Sequence, residues 1–182
     1  MSGKDNDVDI RKQIDDNRGI AKKLEVLVPG LRQYRKTDDL RVADDLLRHQ
    51  VADKVDQARA NLEAYRKQMV VAGDFASLSS VGSLIFELQE LSGKVRYAQQ
   101  GYAPLVAAIS INEDKLNALY NYDYEFVNSA LSLVEATSKL QYDQATALSN
   151  KSSLDAVSSA MVDFKRKWSV RLEAIEGVLV TG

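Results

Sequence analysis

Arg32, Tyr34, Arg35 and Lys36 follow a Pro29-Gly30 pair, and Arg41, Asp44 and Arg48 recur three and four residues apart just downstream. Guanidinium groups beside the free N–H groups of a helix start can hold a phosphate or a partner's carboxylates, because forked donors and helix dipole both favour an anion. Simpler chemistry fits the same spacing. Asp44 and Arg48 make an i, i+4 ion pair, Arg41 and Asp44 an i, i+3 pair, and Tyr34 can pack over the corner.

A second group is Tyr97, Tyr102, Tyr120, Tyr122 and Tyr124, with Asp123 among them. Tyr120 and Asp123 fall on one apolar helical stripe, as expected of a partly buried carboxylate bonded to a phenol. Such a pair is commonly structural; an Asp with a displaced pKa in a pocket would be the catalytic version. The third group, Lys165-Arg166-Lys167 with Arg171, alternates with Phe164 and Trp168. On an isolated helix it would suit an anionic membrane or an acidic partner. Here Phe164 and Trp168 belong to the helix's apolar stripe, which puts the basic residues on the solvated outer face.

Other chemistries lack their residues. There is no Cys, hence no disulfide, thiolate metal site or cysteine nucleophile, and the single His49 cannot build a histidine metal cluster within one chain. Serines at 77, 79, 80, 83, 92, 152 and 153 sit in no Gly-x-Ser-x-Gly elbow, and no phosphate-binding glycine loop or Glu-x-x-His pair is present. The expectation is a protein that is not an enzyme and takes no cofactor or metal.

The elements that must position these groups are helices. Ile10, Ile14, Ala21, Leu24 and Val28 predict a first helix ending at Pro29-Gly30. Thr37 offers an N-cap, with Asp38 and Asp39 on the following turn. From there Leu40, Ala43, Leu47, Val51, Val55, Ala58, Leu62, Tyr65, Met69 and Ala72 step by three or four, a helix of roughly 50 Å at 1.5 Å per residue. Gly73 closes it and Asp74 caps a Ser-rich third helix through Leu78, Val81, Ile85, Leu88, Leu91 and Val95. A connector from Gly101 to Ile111 precedes Asn112, the cap of a fourth helix expected to run from Leu116 toward Ala147. After a polar break at Ser149–Ser153, Val157, Met161, Phe164, Trp168, Leu172, Ile175 and Leu179 mark a fifth.

Composition agrees. In 182 residues there are only 2 Pro and 9 Gly to interrupt helices, with 45% hydrophobic and 27% charged residues, as in an ordinary globular chain. A net charge of -2 gives no global positive field for nucleic acid. No signal-peptide core opens the sequence and no run of 18 apolar residues occurs, so a cytoplasmic protein is expected.

Two stretches carry a resemblance. Leu27-Val-Pro-Gly-Leu-Arg-Gln-Tyr-Arg35 with Leu40-Arg41, Asp44 and Leu46-Leu47-Arg48, and Arg96-Tyr97 through Gly101-Tyr102 to Asp123, resemble a family of uncharacterised archaeal and bacterial helical proteins. That family more often has Tyr at the place of Leu31, Gly at Gln33 and Ser-Gly at Ala103-Pro104. The resemblance implies a helical bundle and no particular activity.

The expected fold is thus all-α, an elongated, coiled-coil-like antiparallel bundle of about five long helices. It forms one domain over 1–182, or sub-units over 1–100 and 101–182. The expected function is a non-catalytic interaction or scaffold protein that engages a protein partner or another copy of itself. An anion-binding bundle using Arg32, Arg35, Arg41 and Arg48 near Tyr102 is the alternative. Membrane-surface binding through Lys165–Arg171 is a further one.

Overall fold

The computed structural model describes residues 19–31, 40–98 and 113–180. Five helices pack against one another, and the described residues form no strand. They are α1 over 19–27, α2 over Leu40–Ala72, α3 over Leu78–Arg96, α4 over Glu113–Ser138 and α5 over Ala147–Val180.

The 33-residue α2 is the spine. Its stripe from Ala43 through Leu47, Val51, Val55, Ala58, Leu62 and Tyr65 to Met69 is buried throughout, because a three-to-four spacing lays these side chains along one face. Gly73 ends the helix at φ +76°. Its N–H bonds the Val70 carbonyl at 3.1 Å and the next N–H, of Asp74, bonds that of Met69 at 3.0 Å. This is a Schellman closure, which a residue with a Cβ adopts only with strain.

Helix α3 then returns antiparallel, so that Arg48 near the start of α2 meets the carbonyls of Val95 and Arg96. Helix α4 runs alongside α2 in the same direction. Arg171 links Asp44 to Asp123 at one end, and Asn61 Nδ2 donates to Thr137 Oγ1 at 3.1 Å further along. Helix α5 comes back down, setting Phe164 and Trp168 against Phe126 at ring separations of 5.3 and 5.0 Å. The long helices therefore alternate up, down, up, down around one apolar cluster. Leu24, Val28 and Leu31 bring α1 and its corner into that cluster. At the corner Gly30 takes φ +88°, and Gln50 Nε2 donates to the Pro29 carbonyl at 2.9 Å.

Three boundaries differ from the sequence expectation. Helix α4 stops at Ser138 and does not run on toward Ala147. Helix α5 starts at Ala147, so Ser149–Ser153 are helical and form no break. The early start of α5 traces to Asp143, whose carboxylate accepts from Ala145 N and Thr146 Oγ1 at 2.9 Å, while Asn150 bonds back to both backbone groups of Asp143. That local network fixes the turn and satisfies the opening of α5. Asp74, expected to cap α3, makes an Asx-type contact to Ala76 N instead, and Ser77 occupies the N-cap position. The Ile10 to Arg18 part of helix one, the Thr37 to Asp39 cap, the Gly101 to Ile111 connector and Asn112 lie outside the described residues. No described helix is long and apolar enough to cross a membrane.

Candidate functional site

Of the corner residues, Arg32, Tyr34, Arg35 and Lys36 lie outside the described residues, and so does the Arg41 side chain. Asp44 and Arg48 are described, and they point inward: 5% and 3% of their surface is exposed. The expected i, i+4 pair forms, with Arg48 Nε donating to Asp44 Oδ2 at 2.8 Å. The rest of the Arg48 guanidinium is spent on Asp45 at 3.1 Å and on the Val95 and Arg96 carbonyls at 3.2 and 3.0 Å. It thus neutralises the negative end of α3 and offers no open fork to an anion.

In the third group Lys165, Arg166 and Lys167 keep part of their surface exposed, as expected, but Arg171 does not. It is 1% exposed, not on a solvated face. One Nη donates to Asp44 Oδ1 at 2.5 Å, Nε donates to Asp123 Oδ1 at 2.7 Å, and the guanidinium lies 5.6 Å from the Phe126 ring centre and 5.8 Å from that of Trp168. Position 171 is three residues after Trp168 and four before Ile175, squarely on the α5 stripe, so packing carries it inside. Asp44 accepts from two arginines, one on each oxygen, and the cluster ties α2, α3, α4 and α5 together. Its neighbours are also paired: Lys165 with Glu87, Arg166 with Asp163, Lys167 with Glu125, and Arg96 with Asp53 and Asp56. The basic run of α5 is thereby matched by carboxylates residue for residue. His49 is half-buried, with Nδ1 2.8 Å from the Asp45 carbonyl.

The described tyrosines of the second group differ in burial. Tyr97 is 79% exposed, Tyr122 is exposed, Tyr120 and Tyr124 are half-buried, and Tyr102 lies outside the described residues. Two other tyrosines meet at the opposite end of the bundle. Tyr65 of α2 and Tyr142 of the α4–α5 loop form an edge-to-face pair with ring centres 5.9 Å apart. The Tyr142 hydroxyl donates to Asp74 Oδ2 at 2.9 Å, and its backbone N–H donates to Gln68 Oε1 at 2.9 Å. These rings wall a cavity of about 650 Å³ between α2, α3 and α5, into which Ser77, Ser80 and Ser83 of α3 face Lys151, Asp155 and Ser158 of α5. Tyr65 is 1% exposed, and its hydroxyl is a buried polar atom with no hydrogen-bond partner. Burial, and secondarily the nearby charge of Asp74, raise its pKa above the ordinary tyrosine value. The signal in the sequence was the i, i+3, i+6 spacing of Ser77, Ser80 and Ser83, which puts three hydroxyls on one face of a helix.

A second hollow, of about 690 Å³, opens on the outer side of the α2–α3 pair, lined by Glu63, Arg66, Lys67, Val70, Val71 and Ile85. Val70 and Val71 are 47% and 89% exposed, and Phe75 just beyond them and Phe86 next to Ile85 are each 67% exposed. Glu63 is held by Arg59 at 3.1 Å. Arg66 and Lys67 meet no carboxylate among the described residues. No group of three His, Cys, Asp or Glu side chains among the described residues is placed to hold a metal.

No protein-family model, curated protein or solved structure matches this chain. The resemblance drawn from the Pro-Gly corner and the Gly-Tyr connector therefore extends to the all-helical architecture and identifies no family.

Proposed function

We propose that this chain is a non-catalytic helical interaction protein whose working surface is the outer α2–α3 face, and that the partner is an acidic amphipathic helix. The observation that supports it is the pair of exposed apolar side chains Val70 and Val71 lining the groove with Ile85, rimmed by the unmatched cations Arg66 and Lys67. Exposed valines and phenylalanines lose hydration free energy until covered, and their clustering marks contact surfaces. The rim selects the occupant. Two copies meeting with Arg66 and Lys67 at the two-fold axis would set these cations against their own kind, whereas a helix with glutamates flanking its apolar stripe meets them with opposite charge.

The test uses two labelled 20-residue helical peptides with the same leucine stripe, one with glutamate and one with lysine on the remaining faces, followed by fluorescence anisotropy. The glutamate peptide is expected to bind at least about tenfold more tightly, with affinity falling as salt rises. Val71→Glu is expected to abolish that binding while leaving the far-UV circular dichroism spectrum unchanged. Equal binding of the two peptides, indifference to Val71→Glu, or a dimer by light scattering without peptide would each overturn the proposal.

A further inference from the structure

The outer groove does not end at α2. A further hollow, of about 550 Å³, is lined by Lys67, Gln68 and Val71 of α2 and by Tyr142, Asp143 and Gln144 of the α4–α5 loop. Lys67 and Val71 also line the α2–α3 groove. At about 100° per residue, positions 67 and 71 form a crest on α2, with Arg66 and Val70 on the flank toward α3 and Gln68 on the flank toward the loop. The two hollows are therefore one surface folded over the last turns of α2, and Val71, 89% exposed, stands at its crest. The loop wall is fastened before any partner arrives: the Tyr142 N–H donates to Gln68 Oε1 and its hydroxyl to Asp74 Oδ2, both at 2.9 Å. The Asp143 carboxylate is engaged by Ala145 N–H and the Thr146 hydroxyl. The unmatched cations thus stand on the flank toward α3 and on the crest, while the loop side offers amides.

We infer that the acidic helix proposed above lies across α2 rather than along the α2–α3 groove, with one apolar anchor in each hollow and its middle turn on Val71. The inference rests on that reading of the outer face. A helix laid lengthwise in the groove covers Val70 and Ile85 and leaves Val71, the more exposed valine, on its far shoulder in water. A helix laid across covers both valines and fills both hollows, so more apolar surface leaves water for the same ordered backbone. The crossing also fixes the partner's spacing. A helix with its side chains is about 10–12 Å wide, so anchors that reach down on either side of α2 stand about 10 Å apart. That is about seven residues at 1.5 Å each, two full turns, which places both anchors on one face of the partner. Glutamates beside the anchor on the α3 side meet Arg66 and Lys67.

Fluorescence anisotropy with the full chain and the labelled glutamate peptide tests the inference through a matched pair of variants. Gln144 of the loop and Gln89 of α3 are both exposed, neither side chain bonds another described residue, and Gln→Glu adds the same charge at either place. Gln89 lies one turn along α3 from Ile85, in the path of a lengthwise helix only. Gln144→Glu is expected to weaken binding at least about threefold, and Gln89→Glu to change it by less than about 1.5-fold. Equal effects of the two, or a larger effect at Gln89, overturn the inference. A peptide keeping only two leucines seven residues apart is expected to bind at least about fivefold more tightly than one keeping two leucines four apart, because in the latter one leucine stays in water. Equal binding or the reverse order overturns it as well. A glutamate peptide that fails to bind, or ignores Val71→Glu, removes the acidic-helix reading and this crossing with it. One that binds, loses affinity with Val71→Glu and answers to Gln89→Glu removes the crossing alone.

Discussion

At one end of the bundle four charged side chains, Asp44, Arg48, Arg171 and Asp123, are matched to one another, while at the other end the Tyr65 hydroxyl is buried with no hydrogen-bond partner beside a cavity. The first arrangement is a lock. Burying a guanidinium is costly, and the cost is offset only because Arg171 reaches two carboxylates and two aromatic faces, and because Arg48 completes Asp44 and closes α3. In the second, the Tyr65 hydroxyl stays buried without a partner, a cost that the packing around its ring must offset. A buried charge whose partners are all protein groups thus serves the fold.

Breaking the lock has the largest expected effect. Arg171→Ala leaves Asp44 and Asp123 without their shared cation, and urea denaturation should show a loss of about 3–5 kcal/mol. A loss below about 1 kcal/mol would put the cluster in the class of surface pairs. Arg48→Met keeps the Arg171 bond to Asp44 and removes the charged donor to the α3 carbonyls; about 2–3 kcal/mol is expected, with hydrogen exchange rising first at the end of α3. At the cavity end the contrast sharpens: Tyr65→Phe removes no hydrogen bond and should change stability at neutral pH by no more than about 0.5 kcal/mol.

The smallest effect is visible only in alkali. The folded-state pKa of Tyr65 is raised from 10.0. Between the two values the folded chain keeps a proton that the unfolded chain has released, so stability is full below the ordinary value and is lost as pH climbs through the raised one. Denaturation midpoints followed above pH ~10 should fall for wild type and fall less for Tyr65→Phe. Parallel curves would mean that the hydroxyl is not enclosed.

The helices were legible because burial follows spacing. Every α2 stripe position from Ala43 to Met69 is buried, as are Val157, Met161, Phe164, Trp168 and Ile175 on α5. Arg171 was misplaced although it lies on the same stripe, because an arginine is solvated by default and only a pair of acids from two other helices reverses that. Those acids, Asp44 and Asp123, were each singled out for local partners, Arg48 and a phenol. Their common partner stands 127 and 48 residues away in sequence and has no local signature. The cavity escaped for the same reason. Tyr65 reads as one more stripe residue, and Tyr142 reaches Asp74 across 68 residues.

The separation of Arg171 from Asp44 also bears on the order in which the chain can fold as it is made. When Asp44 is added to the growing chain, the guanidinium that must neutralise it is still 127 residues from being synthesised. Until then the carboxylate holds its water, and α2 can close against α3 only on the side that Arg48 serves. Helix α5 therefore brings both the apolar face for α4 and the charge that lets the start of α2 dry out, so those two steps are expected to come together in folding.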